Sequence, residues 1–181
     1  MIETERLILR PFVDADTDTF ASFTADPVVM RFYPDVQTRQ EAELWLSRCA
    51  ERFAKHGFHM MAVERKSDGA LLGLAGCGRI PYDVPGPSDV EAGWLFGKQY
   101  WGKGYATEAA SAAIAHTFSN FDVPEIVAIT YRNNWPSRKV MEKLGFIHNP
   151  LRDFEHTQLP RDSKVLPHVL YSLRKPIQLL V

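Results

Sequence analysis

Cysteine is scarce in this chain of 181 residues, which contains only Cys49 and Cys77. Two cysteines without a CxxC spacing do not fit a disulfide framework or a structural zinc site, and they favour a reducing compartment. An excess of one charge is missing too, because 21 Lys and Arg stand against 22 Asp and Glu, for a formal net charge of −1. Such a chain has no overall field to attract polyanions, so nucleic-acid binding as a bulk property is not expected.

Long apolar runs are also missing. None approaches the roughly 18 residues that a membrane-spanning helix needs, and residues 1–12 alternate charged and apolar side chains instead of forming a signal peptide. The composition, 45% hydrophobic and 24% charged, is typical of a soluble globular domain. No repeat or linker divides the chain. We therefore expect one soluble, cytoplasmic domain over residues 1–181, without membrane or nucleic-acid partners.

Periodicity and turn signals predict the secondary structure. The capping box from Thr38 to Glu41 opens the clearest amphipathic helix, which Gly57 ends, and the pair Asp68-Gly69 predicts a hairpin. Because antiparallel hairpins come first and a strand–helix–strand crossover follows, the fold class is α+β, a mixed α/β domain. Strands are predicted at residues 6–10, 58–65, 71–79, 89–96, 125–131, 146–148 and 167–174, and helices after Asp14, after Thr38, at 105–118 and at 134–144.

A glycine-containing segment lies between the predicted strand 89–96 and the alanine-rich helix that follows. Gly102 and Gly104 allow several backbone N–H groups to point into one concavity at a helix start, a typical site for phosphate oxygens. The dinucleotide pattern GxGxxG fails at Thr107, and the pattern GxxxxGK[ST], begun at Gly97, fails because Gly104 replaces the magnesium-binding hydroxyl residue. A glycine turn that only caps the helix is the remaining structural alternative.

The spacing Gln99-x-x-Gly102-x-Gly104 resembles the coenzyme A loop of the GCN5-related N-acetyltransferase (GNAT) superfamily, written (Q/R)xxGx(G/A). About 30 residues later, Asn134-x-x-Ser137 and the EKLGF that ends at Phe146 are similar to the family's NxxSxxxxEKxGF segment. Two motifs in the family's order make a chance resemblance improbable. It implies a single GNAT-like domain with a mostly antiparallel sheet of about seven strands, flanked by about four helices and splayed between its fourth and fifth strands.

Two further segments resemble one branch of this superfamily. Residues 4–10 (TERLILR) and residues 91–94 (EAGW) are similar to the branch named for the ribosomal-protein acetyltransferases RimJ and RimL. The implied activity is direct transfer of an acetyl group from acetyl-coenzyme A, without a metal, to a primary amine of a protein N-terminus or a small molecule. The alternative is a non-catalytic module that binds acyl-coenzyme A as a sensor.

The resemblance also implies the residues of the site. Glu91 is the candidate base, and Ser137 is the candidate donor to the departing thiolate. Backbone amides from Tyr100 to Ala106 would hold the pyrophosphate, and the backbone around Trp94 would hold the pantetheine. The predicted cofactor-binding residues are Trp94, Leu95, Gln99, Tyr100, Trp101, Gly102, Lys103, Gly104, Tyr105, Ala106, Asn134, Ser137 and Arg138.

Each catalytic candidate has a structural alternative. Glu91 is equally compatible with a strand-edge glutamate, Asn134 with a simple helix N-cap, and Ser137 with an ordinary first-turn serine. Tyr131 and Tyr171 are further candidates for the acid.

The acceptor is expected to bind among three segments that the cofactor does not need. These are residues 30–34, 82–88 and 152–168, with Asp83 and Asp89 placed to attract a cationic amine. The oligomeric state, monomer or homodimer, is open, and the apolar residues 177–181 are a candidate contact between copies.

Overall fold

The computed structural model describes residues 1–176, so the apolar tail at 177–181 lies outside the described residues. Within this range the elements follow each other in the predicted order, with two additional short strands. The strands are β1 (Ile2–Glu3), β2 (Leu7–Arg10), β3 (Met60–Arg65), β4 (Leu71–Arg79), β5 (Val90–Phe96), β6 (Glu125–Tyr131), β7 (Ile147–His148), β8 (Phe154–Glu155) and β9 (Pro167–Arg174), and the helices are α1 (Asp16–Thr24), α2 (Arg39–His56), α3 (Tyr105–Asn120) and α4 (Trp135–Lys143).

One sheet contains all of these strands in the order β1-β2-β3-β4-β5-β6-β9-β7, with β8 paired to β9. Every pairing is antiparallel except that of β5 with β6, which is parallel and has a single aligned pair, Glu91 with Val127. The mixed, mostly antiparallel sheet and its splay are therefore confirmed. The prediction of about seven strands missed β1 and β8, because two residues are too few to show alternation.

The capping and turn residues predicted from the sequence lie at the ends of the predicted elements. Thr38 and Glu41 form the predicted capping box of α2, and Gly57 ends this helix in the left-handed conformation with φ of 79°. Gly69 takes φ of 69° in the turn between β3 and β4, as the Asp-Gly pair predicts. No helix in the described part of the chain is long and apolar enough to cross a membrane.

The helices cover both faces of the sheet. Leu95 of β5 packs in a core with α1 and α2, whereas Val90 of the same strand packs in a core with α3 and α4. Side chains of a strand alternate between faces. Glu91 therefore lies on the same face as Leu95, toward α1 and α2. This choice of face decides which groups surround Glu91 in the site described next.

Candidate active site

The splay between β5 and β6 opens a cleft of about 600 Å³. Beyond the pair of Glu91 and Val127 the two strands separate, so the backbone from Ala92 to Leu95 lines the cleft on one side and Ile129 to Tyr131 lines it on the other. Separated strands leave main-chain donors and acceptors without a sheet partner. The cleft therefore offers an extended ligand a strand edge on which amide groups can pair.

The glycine segment closes one end of this cleft. Gly102 has φ of 72° and Gly104 has φ of 81°, a region that residues with a side chain rarely adopt. Open space surrounds the position that a side chain at Gly102 would take. Helix α3 begins without a side-chain cap, and its first helical bond runs from the Glu108 N–H to the Gly104 carbonyl. The earlier N–H groups of α3 are therefore available to phosphate oxygens, which fits the diphosphate of coenzyme A.

A brace from the N-terminus holds this segment. Arg6 donates from Nη1 to the Lys103 carbonyl at 3.0 Å and from Nε to the Glu108 carboxylate at 2.7 Å. The Thr4 hydroxyl donates to the same carboxylate at 2.6 Å. The opening motif thus contacts the first turn of α3, a role that sequence analysis did not predict because about 100 residues separate the partners.

Glu91 lies in the cleft. Its neighbour across the β4–β5 pairing is Gly78, and the His59 ring fills the space above this glycine: a Cβ there would lie 2.2 Å from His59 Nδ1. Burial raises the pKa of Glu91 to about 7, against an opposing effect of the positive charge of Arg52. A carboxyl group with such a pKa exchanges protons at neutral pH, as general-base chemistry requires.

The start of α4 forms the opposite wall. Asn134 accepts from the Ser137 backbone N–H at 3.3 Å and donates to the Thr130 hydroxyl at 2.8 Å, so it is the N-cap of this helix. Both Asn134 and Ser137 also line the cleft. Within residues 1–176 the Ser137 hydroxyl has no hydrogen-bond partner, which leaves it to a ligand.

The two tyrosines considered for the acid differ in position. Tyr131 lines the cleft, and its hydroxyl accepts from Asn133 at 3.1 Å. Tyr171 is 2% exposed, and its hydroxyl accepts from Arg138 Nε at 3.0 Å, outside the cleft. The structure therefore places only Tyr131 within reach of a ligand.

Most of the predicted cofactor-binding residues meet in this one cleft, but the side chains of three do not line it. Gln99 and Lys103 are exposed at its outer side, and Lys103 contributes its carbonyl to the brace. Arg138 stacks on Trp135 at 4.1 Å, donates to Tyr171 and does not line the cleft, so its place at the phosphates stays a prediction. The predicted residues that line the cleft are Trp94, Leu95, Tyr100, Trp101, Gly102, Gly104, Tyr105, Ala106, Asn134 and Ser137.

The three segments expected to bind the acceptor meet at the Glu91 end, but the two expected acids do not join them. Asp89 is exposed and pairs with Arg79, and Asp83 is exposed outside the cleft. Arg52 and His59 also line the cleft, and no motif in the sequence predicted them. Arg52 offered one signal, a charge at the edge of the apolar stripe of α2. The residues from the three segments that line the cleft are Arg31, Phe32, Tyr33, Pro34, Tyr82, His156, Leu159, Val165 and His168.

Arg152 fixes the segment that carries Tyr82. It donates from Nε to the Pro85 carbonyl at 2.6 Å and from Nη1 to the Glu125 carboxylate at 2.8 Å. Its guanidinium also fills the space beside Gly86, where a Cβ would lie 2.4 Å from Nη2. Arg152 thus holds the segment that carries Tyr82 against the first residue of β6.

Comparison with known proteins agrees with this geometry. The model of the family described as an acetyltransferase (GNAT) domain matches residues 6–147. The uncharacterized N-acetyltransferase YnaD of Bacillus subtilis is 31% identical over 149 residues, which cover 80% of this chain and 81% of that protein.

Solved structures have the same fold. An acetyltransferase of the GNAT family from Bacillus anthracis superimposes with a TM-score of 0.78 at 27% identity, over 96% of this chain and 98% of that chain. RimL, a ribosomal L7/L12 alpha-N-protein acetyltransferase in complex with coenzyme A, superimposes with a TM-score of 0.73 over 94% of this chain and 95% of that chain. At 12% identity, the likeness to RimL shows the fold alone.

Proposed function

We propose, since the chain belongs to the GNAT family of acetyl-coenzyme A-dependent N-acetyltransferases, that it transfers the acetyl group directly to a primary amine with Glu91 as the base. The observation that carries the proposal is a carboxyl group with a raised pKa, facing a cleft that also contains a phosphate-binding helix start. Membership of the family implies acetyl-coenzyme A as the acetyl donor. The residues around Glu91 are the ones that we expect to bind the acceptor.

We assign the diphosphate and the pantetheine of acetyl-coenzyme A to different parts of the cleft. The diphosphate fits the N–H groups between Gly102 and the first turn of α3, and the pantetheine fits the open edge of β5 between Ala92 and Leu95. We place its thioester between β5, which carries Glu91, and the start of α4, which carries Ser137, since both residues line the cleft.

Glu91 and Ser137 divide the chemistry between them. Glu91 removes a proton from the incoming ammonium group, and the amine nitrogen then attacks the thioester carbonyl carbon. The carbon–sulfur bond breaks as the amide forms. The nitrogen loses a second proton, which passes to the departing thiolate and gives the coenzyme A thiol. Ser137 donates a hydrogen bond to this sulfur, which stabilises the developing negative charge.

An acetyl-cysteine intermediate does not fit the structure. Cys49 and Cys77 are both buried, neither lines the cleft, and burial raises the pKa of each thiol to about 12. A thiol with this pKa supplies almost no thiolate at neutral pH, and the thiolate is the nucleophile. Direct transfer is therefore the mechanism that this cleft supports.

Release of the coenzyme A thiol tests the proposal. Amines and short peptides, which represent small-molecule and protein N-terminal acceptors, are mixed with acetyl-coenzyme A and the native protein or Glu91→Gln. We expect this substitution to lower kcat roughly 10²- to 10⁴-fold, the usual contribution of a positioned base, while calorimetry gives an unchanged Kd for acetyl-coenzyme A.

Glu51→Gln, on the exposed side of α2, is the matched control and should leave both quantities unchanged. A sensor module would bind acetyl-coenzyme A equally well but release no thiol with any acceptor. Such a result would contradict the proposed reaction.

A further inference from the structure

Arg52 is a cation inside the cleft that the proposed chemistry does not use. It lies on α2 two turns after Trp45, so the two side chains leave the helix on the same face, and both line the cleft. Arg52 is half-buried. Burial is the main cause of the raised pKa of Glu91 and of the lowered pKa of His59, and the positive charge of Arg52 has a smaller, lowering effect on both, in agreement with a guanidinium near Glu91.

Other arginines around the cleft have partners. Arg31 donates to the Val28 carbonyl and stacks on Trp101 at 4.8 Å, and Arg152 pairs with Glu125. Within residues 1–176, Arg52 makes neither a hydrogen bond nor an ion pair. A partly desolvated guanidinium without a partner costs free energy, and a carboxylate satisfies it through two parallel hydrogen bonds.

The pyrophosphate of the donor does not supply that partner. Phe96 lies five positions after Glu91 on β5, a distance of roughly 17 Å, and the glycine segment begins only after Phe96. The Glu91 end is where the acceptor segments meet. A negative charge beside Arg52 therefore belongs to the acceptor.

The remaining groups at this end disfavour a polycation. Glu91 is the only carboxylate among the described residues that line the cleft. Burial lowers the pKa of both His59 and His168 to about 4, so both rings are neutral at pH 7. The surrounding wall is mainly apolar and aromatic, with Tyr82 and Leu159 among its members.

We propose that Arg52 binds a carboxylate of the acceptor, and that the acceptor is a small amine that carries this carboxylate and an apolar or aromatic body. The inference rests on the proposed function and names its substrate class. A cleft of about 600 Å³ that also holds the pantetheine leaves room for a small molecule beside Glu91. The amine would face Glu91 while the carboxylate lies on Arg52.

Matched acceptor pairs test the inference. Phenylalanine and phenethylamine, tyrosine and tyramine, and leucine and isoamylamine each differ only by the carboxylate, and thiol release gives kcat/KM for every member. In the native protein we expect the amino acid of at least one pair to exceed its amine roughly 10- to 100-fold, the range for a charge-assisted hydrogen bond at a partly buried site. Arg52→Met should bring this ratio close to one, and Arg52→Lys should restore part of it.

A ratio taken within one variant cancels the effect of Arg52 on Glu91, because both acceptors of a pair use the same base. Arg48→Met removes an exposed arginine one turn earlier on α2 and should leave the ratio unchanged. Equal kcat/KM within every pair, a preference for spermidine or peptides, or an unchanged ratio in Arg52→Met would overturn the inference and leave the proposed function intact. Absence of thiol release with every acceptor would overturn both.

Discussion

Arg6 donates to the main-chain carbonyl of Lys103 at 3.0 Å, across 97 positions of the sequence. In a trans peptide the carbonyl and the next N–H point in opposite directions. When the Lys103 carbonyl faces Arg6, the Gly104 N–H therefore faces away from it. The contact links the opening motif of the chain to the orientation of a peptide group in the phosphate-binding segment.

Loss of this brace should weaken donor binding. Arg6→Met removes the bonds to Lys103 and Glu108, and we expect calorimetry to show about a fivefold higher Kd for acetyl-coenzyme A, a modest change because the Arg6 side chain is partly exposed. Arg39→Met removes an exposed arginine that pairs with Asp18, far from the cleft, and should not change this Kd. Equal Kd values for both variants would argue against the brace.

Two glycines with nearly the same backbone conformation allow the effect of a substitution on acetyl-coenzyme A binding to be separated from its effect on backbone strain. Gly102 and Gly69 have φ of 72° and 69°, and neither has an atom within 4 Å of the position of an added Cβ. Alanine at either site should therefore cost a similar 1–2 kcal/mol of unfolding free energy, roughly the penalty for a left-handed residue. Only Gly102→Ala should also weaken binding of acetyl-coenzyme A.

Urea unfolding measures the first quantity and calorimetry the second. If Gly69→Ala weakened binding as much as Gly102→Ala, the effect would come from lost stability and the segment would not be the phosphate site.

The raised pKa of Glu91 makes a prediction about stability. In the unfolded chain this carboxyl ionises near pH 4.5, whereas in the folded protein it ionises near pH 7. The folded state therefore binds an additional proton between these values, and its stability decreases as the pH rises through this window. Glu91→Gln cannot ionise and lacks this contribution.

Urea unfolding of both proteins at pH 5 and pH 8 checks the sign. The free energy of unfolding of the native protein, taken relative to Glu91→Gln, should be lower at pH 8 than at pH 5. The opposite sign would show that the carboxyl is stabilised as an anion in the folded state.

Ser137 should act on the chemical step. Ser137→Ala removes the hydroxyl that we propose as the donor to the sulfur and retains the backbone N–H that Asn134 caps, so the helix should persist. We expect kcat to fall by about 10²- to 10³-fold, as when one donor is removed from an oxyanion site, with little change in the Kd of acetyl-coenzyme A.

Ser111→Ala, at an exposed position of α3, is the control and should leave kcat unchanged. An unchanged kcat in Ser137→Ala would transfer the role of acid to Tyr131, which lines the same cleft.

Helix ends, turns and the phosphate-binding segment were predictable because their causes are local. The capping box at Thr38 and the turn at Gly69 depend on a few neighbouring residues and are found as predicted, and Gly102 and Gly104 lie before a helix start, as expected, with positive φ. The contacts of Arg138 within the protein were not predictable, for a related reason. Its place in the sequence next to Ser137 says nothing about the direction of its side chain, which points to Tyr171.

The α+β class, the family resemblance and the glycine segment between Gln99 and Ala106 could be read from the amino-acid sequence, since local backbone requirements and motif spacing depend on consecutive residues. The contact of Arg6 with Lys103 and the presence of His59, Arg52 and Glu91 in one cleft became visible only in the folded chain. Those contacts depend on the order of the strands, on the face toward which each side chain points and on the splay of two strands. These are properties of the whole sheet, which no short segment carries.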